Sequence, residues 1–198
     1  MKNIRRLVIA SGNQGKVREF MEYFRGEDWH ILPKPPTVEV AETGTTFLEN
    51  ACLKAQQVAI ATGLWALADD SGLVVDALDG APGIYSARYG PTDTLRIHRV
   101  LQELHAKGEN VSRSARFVCA IAVANPQGQI VNQAVGVCEG MIIEQPRGDH
   151  GFGYDPIFYV PEYQLTFAEM SSELKNQISH RAKALAELRS HWQICTNG

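Results

Sequence analysis

The stretch from Ser114 to Ala124 sets Ala115, Phe117, Cys119, Ile121 and Val123 on one side of an extended chain and Val118, Ala120 and Ala122 on the other. No glycine or proline interrupts it. Successive side chains of a strand point to opposite faces, so a strand that is apolar on both needs cover from both sides. That requirement points to a central strand in a layered α/β protein. Ile130 to Val137 reads as its hairpin partner, returning through the turn Asn125-Pro-Gln-Gly128.

Helices flank this strand-rich middle. Arg6 to Ala10 reads as a strand, followed by a glycine-containing loop and a helix beginning near Lys16, with Val17, Phe20, Met21 and Phe24 on its buried face. A polar segment around Pro33, Pro35 and Pro36 then breaks the chain. The pattern predicts a second helix over Thr46 to Thr62, with Phe47, Ala51, Ala55 and Ala59 near one face and a capping box from Thr46 to Glu49. Trp65 to Ala68 is a short strand ending in Asp69-Asp70-Ser71-Gly72, and Leu73 to Val75 continues after it. The segment GAPGIYSARYGPTD reads as loop, Leu95 to Leu104 as helix, and Ile178, Ala182, Leu185 and Leu188 outline a last helix. The expectation is one α/β domain with a mixed sheet, built as two lobes around a central cleft.

A length of 198 residues with 44% hydrophobic and 21% charged side chains allows a real core. The formal net charge of -3 does not favour a nucleic-acid binder, which carries a basic stripe. No apolar run reaches membrane-spanning length, and the start MKNIRRLVIASGN, with Ile4 ahead of Leu7 to Ala10, lacks the long core of a secretory signal. Cys52, Cys119, Cys138 and Cys195 form no CxxC pair and read as reduced thiols, so the cytoplasm is the expected compartment.

Four constellations carry possible chemistry. Ser11-Gly12-Asn13-Gln14-Gly15-Lys16 lies between a strand and a helix start, where backbone amides, the helix field and a lysine suit a phosphate. It fails the Walker A pattern, and a plain glycine-rich turn reads equally well. Asp69-Asp70 follows an apolar strand, where two carboxylates are costly unless a cation or hydrogen bonds offset desolvation. Oxygen donors of this kind suit Mg²⁺ carried on phosphates. The competing reading is an ordinary Asp-Asp-Ser-Gly turn, and Glu39, Glu42 and Glu49 are further carboxylates. Gly148 to Pro156 sets Phe152, Gly153, Tyr154 and Asp155 in a glycine-rich loop suited to wrapping a base, or to a long surface turn. Lys175 and Ser179-His180-Arg181 put positive charge at a helix start, where an anion or a base carbonyl would offset it, although a histidine there is more often structural.

Taken together, SGNQGKVREF, ETGTTFLENA, ALADDSGLVVDALDGAPGIYSARY, GFGYDPIF and TFAEMSSELKNQISHRAKAL make the chain resemble the Ham1/RdgB family of inosine triphosphate pyrophosphatases over nearly its whole length. The family's usual TGN stands here as Ser11-Gly12-Asn13, and Asp149-His150 replaces a small residue beside glycine. The resemblance implies an elongated mixed α/β fold with an active cleft between lobes, a homodimer, and Mg²⁺ as cofactor. It further implies hydrolysis of ITP, dITP and XTP to the monophosphate and pyrophosphate. By this likeness Ser11 to Lys16 hold the triphosphate, Asp70 binds metal and accepts the proton of water, and Glu42 is a second metal carboxylate. Ser71, Phe152, Gly153, Tyr154, Asp155, Lys175, His180 and Arg181 enclose the nucleotide. Two other classes stay open at this point: a Maf-type pyrophosphatase of modified nucleotides, and a nucleotide-sensing module without turnover.

Overall fold

The computed structural model describes residues 5–26 and 29–191, which leaves Ile4 and Cys195 outside the described residues. In chain order the main elements are β1 (Arg5–Ile9), α1 (Gln14–Tyr23), β2 (Trp29–Pro33), α2 (Phe47–Thr62), β3 (Trp65–Val75), α3 (Asp93–Ala106), β4 (Ser114–Ala124), β5 (Ile130–Ile142), β6 (Phe158–Val160), β7 (Leu165–Thr166), α4 (Ser172–Ile178) and α5 (His180–His191). Among the described residues the strands form a seven-stranded sheet in the order β2-β1-β3-β4-β5-β6-β7. It is mixed: β1 runs parallel to β2 and β3, whereas β5, β6 and β7 pair antiparallel. The α/β expectation therefore holds, and no helix among the described residues is long and apolar enough to cross a membrane.

The chain divides into two compact units, with β3, β4 and β5 each contributing to both. Among the described residues the first comprises 5–26, 29–70, 120–135 and 184–191. Its core is alanine-rich: Ala51, Ala55, Val58 and Ala59 of α2 meet Val8, Ala66, Ala68, Ala120, Ala122 and Ala124 of the strands. Small side chains on both surfaces let helix and sheet backbones approach closely. The start of α2 is fixed as its sequence predicts, since the Thr46 hydroxyl accepts from the Glu49 amide at 3.1 Å and the Glu49 carboxylate accepts from the Thr46 amide at 3.2 Å.

The second unit, residues 71–119 and 136–183, has an aromatic core. Phe117 lies 4.6 Å from Phe158 and stacks on Phe167 at 5.6 Å and 3° between planes. The residues of β4 explain both cores: its first half carries Phe117 into the aromatic cluster, and its second half is buried throughout and presents Ala120, Ala122 and Ala124 to the alanine-rich core.

Several sequence expectations change. Met21 is 45% exposed and not on the buried face of α1, which rests on Val17, Phe20 and Phe24. The proline-rich break contains β2, whose Trp29-His-Ile-Leu run pairs with β1 before Pro33 ends it. The loop after β3 coils into 3₁₀ turns at Asp76–Leu78 and Gly83–Arg88. The partner of β4 extends to Ile142, and Ile178 ends α4 instead of joining the last helix. Cys52, Cys119 and Cys138 are free thiols.

Candidate active site

Asp69 and Asp70 do not follow a strand; they lie inside one. β3 runs unbroken from Trp65 to Val75, and both carboxylates are buried within it. Strand alternation sends them to different partners. The Lys16 ammonium reaches Asp69 Oδ2 at 2.9 Å. Lys54 Nζ donates to Asp70 Oδ1 at 3.0 Å and to Glu42 Oε1 at 2.7 Å, so one cation joins the two carboxylates. Lys16 and Lys54 thus both pair with carboxylates of the first unit, and Lys54 joins two of them.

The helix α2 builds much of this arrangement. Asn50 and Lys54 are one helical turn apart and share a face. Asn50 is fully buried; its side-chain oxygen accepts from the Gly44 amide at 2.8 Å and its Nδ2 donates to Asp70 Oδ2 at 3.3 Å. Gly44 is required by this close approach, because a Cβ there would lie 2.7 Å from Glu49 Cβ and 2.8 Å from Asn50 Oδ1. Neither Asn50 nor Lys54 was anticipated. The available signal was a pair of polar residues four apart beside the alanine stripe of an amphipathic helix.

Burial raises the Asp70 carboxyl above the usual range, and neighbouring Glu42 adds to the effect, while Lys54 and Lys16 pull the other way. For Lys54, burial is the largest single influence and opposes its charge. Asp70, Asp69 and Glu42 together outweigh it and hold the ammonium above the ordinary lysine range.

Ser11 to Lys16 form the turn into α1. Asn13 caps this helix, its side-chain oxygen accepting from the amides of Gly15 at 2.9 Å and Lys16 at 3.2 Å, and Ser11 Oγ accepts from the Asn13 amide. Two of the amides expected to meet phosphate are therefore engaged by Asn13. Gly12, Asn13 and Gln14 are exposed, and Ser11, Gly15 and Lys16 are half-buried.

The second unit holds the other predicted residues. Asp155 is buried, and its Oδ2 accepts from Lys175 Nζ at 2.7 Å and the Phe152 amide at 2.9 Å. Gly151 makes room for that carboxylate: its φ is +78°, and a Cβ would come within 2.0 Å of Asp155 Oδ2. The Lys175 ammonium also lies 5.0 Å from the centre of the half-buried Phe152 ring. Tyr154 is turned inward. It is buried in the aromatic core, its hydroxyl donates to the Ser86 carbonyl at 2.9 Å, and burial raises its phenol pKa. His180 stacks on Phe117 at 4.7 Å and 13°. Arg181 is 3% exposed and donates from Nη2 to Ser71 Oγ at 3.0 Å, while Ser179 caps α5 by accepting from the Ala182 amide.

Residues 7–191 match the Ham1 family model. The chain is similar to a dITP/XTP pyrophosphatase of Nostoc sp., 59% identical over 92% of this chain and 91% of the relative. It is also similar to a dITP/XTP pyrophosphatase of Synechocystis sp., 52% identical over 94% of each. Among solved structures, a HAM1 protein from Coxiella burnetii is similar with a TM-score of 0.85 and 44% identity, covering 94% of this chain and 97% of that one. The Staphylococcus aureus Ham1 protein gives 0.83 and 43% over the same shares. The family match spans both clusters of candidate site residues, and the chain belongs to the Ham1 family.

Proposed function

We propose that the protein hydrolyses purine nucleoside triphosphates with non-standard bases (ITP, dITP and XTP) to the monophosphate and pyrophosphate. The observation that carries this reading is the half-buried Glu42–Lys54–Asp70 bridge beside the Lys16–Asp69 pair, in a chain 59% identical to a dITP/XTP pyrophosphatase.

The donor set fits Mg²⁺. Asp70 and Glu42 each direct an oxygen at one positive centre, and Mg²⁺ is characteristically held by one or two carboxylates together with substrate phosphates. Those two residues would hold the ion, whose contribution when bound is to neutralise charge on the triphosphate. Lys16 and Lys54 bind phosphate oxygens. Asp70 accepts a proton from water as its oxygen bonds to the α-phosphorus; the bond from that phosphorus to the bridging oxygen breaks, and pyrophosphate leaves.

Base recognition falls to the second unit. Phe152, the half-buried ring of its loop, supplies the stacking face. Arg181 donates to the carbonyl at C6 of hypoxanthine or xanthine, where adenine presents an amino group. Leaving a buried donor unmatched costs about 1–3 kcal/mol, a ten- to hundredfold preference. The reading includes a cytoplasmic location, supported by the free thiols Cys52, Cys119 and Cys138 among the described residues, no nucleic-acid partner, supported by the net charge of -3, and a homodimer, which rests on the family resemblance. It is tested by kcat/KM for ITP, XTP, GTP and ATP in the wild type and in Arg181→Ala. The wild type should favour ITP over ATP by at least about tenfold, and Arg181→Ala should compress that ratio. Equal efficiencies in the wild type contradict the reading.

A further inference from the structure

The loop that carries Phe152 is anchored from outside itself. Gly153 adopts a left-handed φ of +64°, and its amide donates to Asp93 Oδ2 at 2.8 Å. Asp93 is the first residue of α3, sixty positions earlier in the chain, and both of its carboxylate oxygens are engaged. Oδ1 accepts from Arg96 Nη1 at 2.7 Å, and Arg96 Nε in turn donates to the Gly90 carbonyl at 2.9 Å. The carboxylate is thereby aimed by an arginine that is itself tied to the backbone ahead of the helix. Thr92 sets the start of that helix, its hydroxyl accepting from the Leu95 amide.

Three consecutive residues of the loop are consequently held at three separate points: the Phe152 amide by Asp155, the Gly153 amide by Asp93, and the Tyr154 hydroxyl by the Ser86 carbonyl. Tyr154 and Asp155 are turned inward, which leaves Phe152 as the side chain of this turn with open ring surface. The Asp155 contact is local, and the Tyr154 contact acts one residue beyond the peptide that follows Phe152. The bond to Asp93 acts on that peptide directly and sets its plane. A charge-assisted bond to a backbone amide is among the stronger single restraints available to a loop.

From this we infer that Asp93 is a positioning residue for base binding, which fixes the Phe152 ring through the Gly153 amide without touching the nucleotide. The inference rests on the functional reading above, in which Phe152 stacks on the base. A pre-set ring spares the nucleotide the cost of ordering the loop on binding.

The test compares wild type, Asp93→Ala, Asp93→Asn and Asp93→Ser for kcat and KM with dITP, and for competitive inhibition by inorganic tripolyphosphate, which has no base. Asp93→Ala should raise KM for dITP about tenfold, keep kcat within about twofold and leave tripolyphosphate inhibition within about twofold. Asp93→Asn retains an oxygen that can accept from Gly153 and should bring KM back to within about threefold of wild type. Asp93→Ser keeps a residue suited to a helix start but falls short of Gly153, and should follow alanine even where the alanine variant folds poorly. An unmoved KM in the alanine and serine variants overturns the inference alone. So does an equal loss toward tripolyphosphate, or a loss that asparagine does not rescue. Absence of dITP turnover by the wild type overturns the functional reading and the inference with it.

Discussion

Asp70→Asn is expected to lower kcat roughly a thousandfold, within the range that a lost proton acceptor costs, and to leave a folded protein. Asparagine has nearly the same shape but neither the charge to hold a cation nor the basicity to take a proton from water. The fold should tolerate the change because Lys54 keeps its second partner, the Glu42 carboxylate at 2.7 Å, so no buried ammonium is stranded. Circular dichroism and thermal unfolding establish the folded state, and steady-state kinetics with ITP give the loss. A folded variant with wild-type kcat would remove Asp70 from the chemistry.

The largest effect on stability is expected at Phe167. Its side chain is fully buried, stacked on Phe117 and edge-on to Phe158 at 4.9 Å, with the His180 ring parallel to it at 6.3 Å. Phe167→Ala removes the middle of this cluster and should cost about 3–5 kcal/mol in urea unfolding. For a protein with the usual ~5–15 kcal/mol of stability that is a large fraction. A cost below about 1 kcal/mol, far under the usual range for such a truncation, would mean that the aromatic cluster does not hold the second unit together.

How much of this was legible in the sequence depended on whether the deciding interactions were local. The capping box of α2 involves residues three apart and could be read directly. So could β4, because a strand apolar on both faces admits few other placements. Asp69 and Asp70 were misplaced for the opposite reason. Asp-Asp-Ser-Gly has the composition of a turn, and its burial within a strand depends on partners such as Lys16, Lys54 and Asn50, brought in by two different helices. β2 was hidden by the proline at its end and by Pro35 and Pro36 beyond it. Pro33 ends the strand, and the parallel pairing of Trp29 to Leu32 with β1 leaves no mark in the local sequence.

The site was read in the same uneven way. Acidic, basic and aromatic residues were named as candidates, but the partners the structure gives them were not. Tyr154 looked as available to a base as Phe152 until the Ser86 carbonyl, 68 residues away in the chain, drew its hydroxyl inward. Asn13 looked like part of a phosphate loop, yet its side chain caps α1. Lys54 escaped notice because a lysine on an alanine-rich helix ordinarily reads as a solvated position. Its role became visible only once Glu42 and Asp70 stood on either side of it.

Phosphorus NMR of the products distinguishes which phosphoanhydride bond is cut. With dITP and Mg²⁺, dIMP and pyrophosphate should appear together from the first turnover, with no dIDP signal at any time. Accumulation of dIDP with orthophosphate would contradict the proposed cleavage.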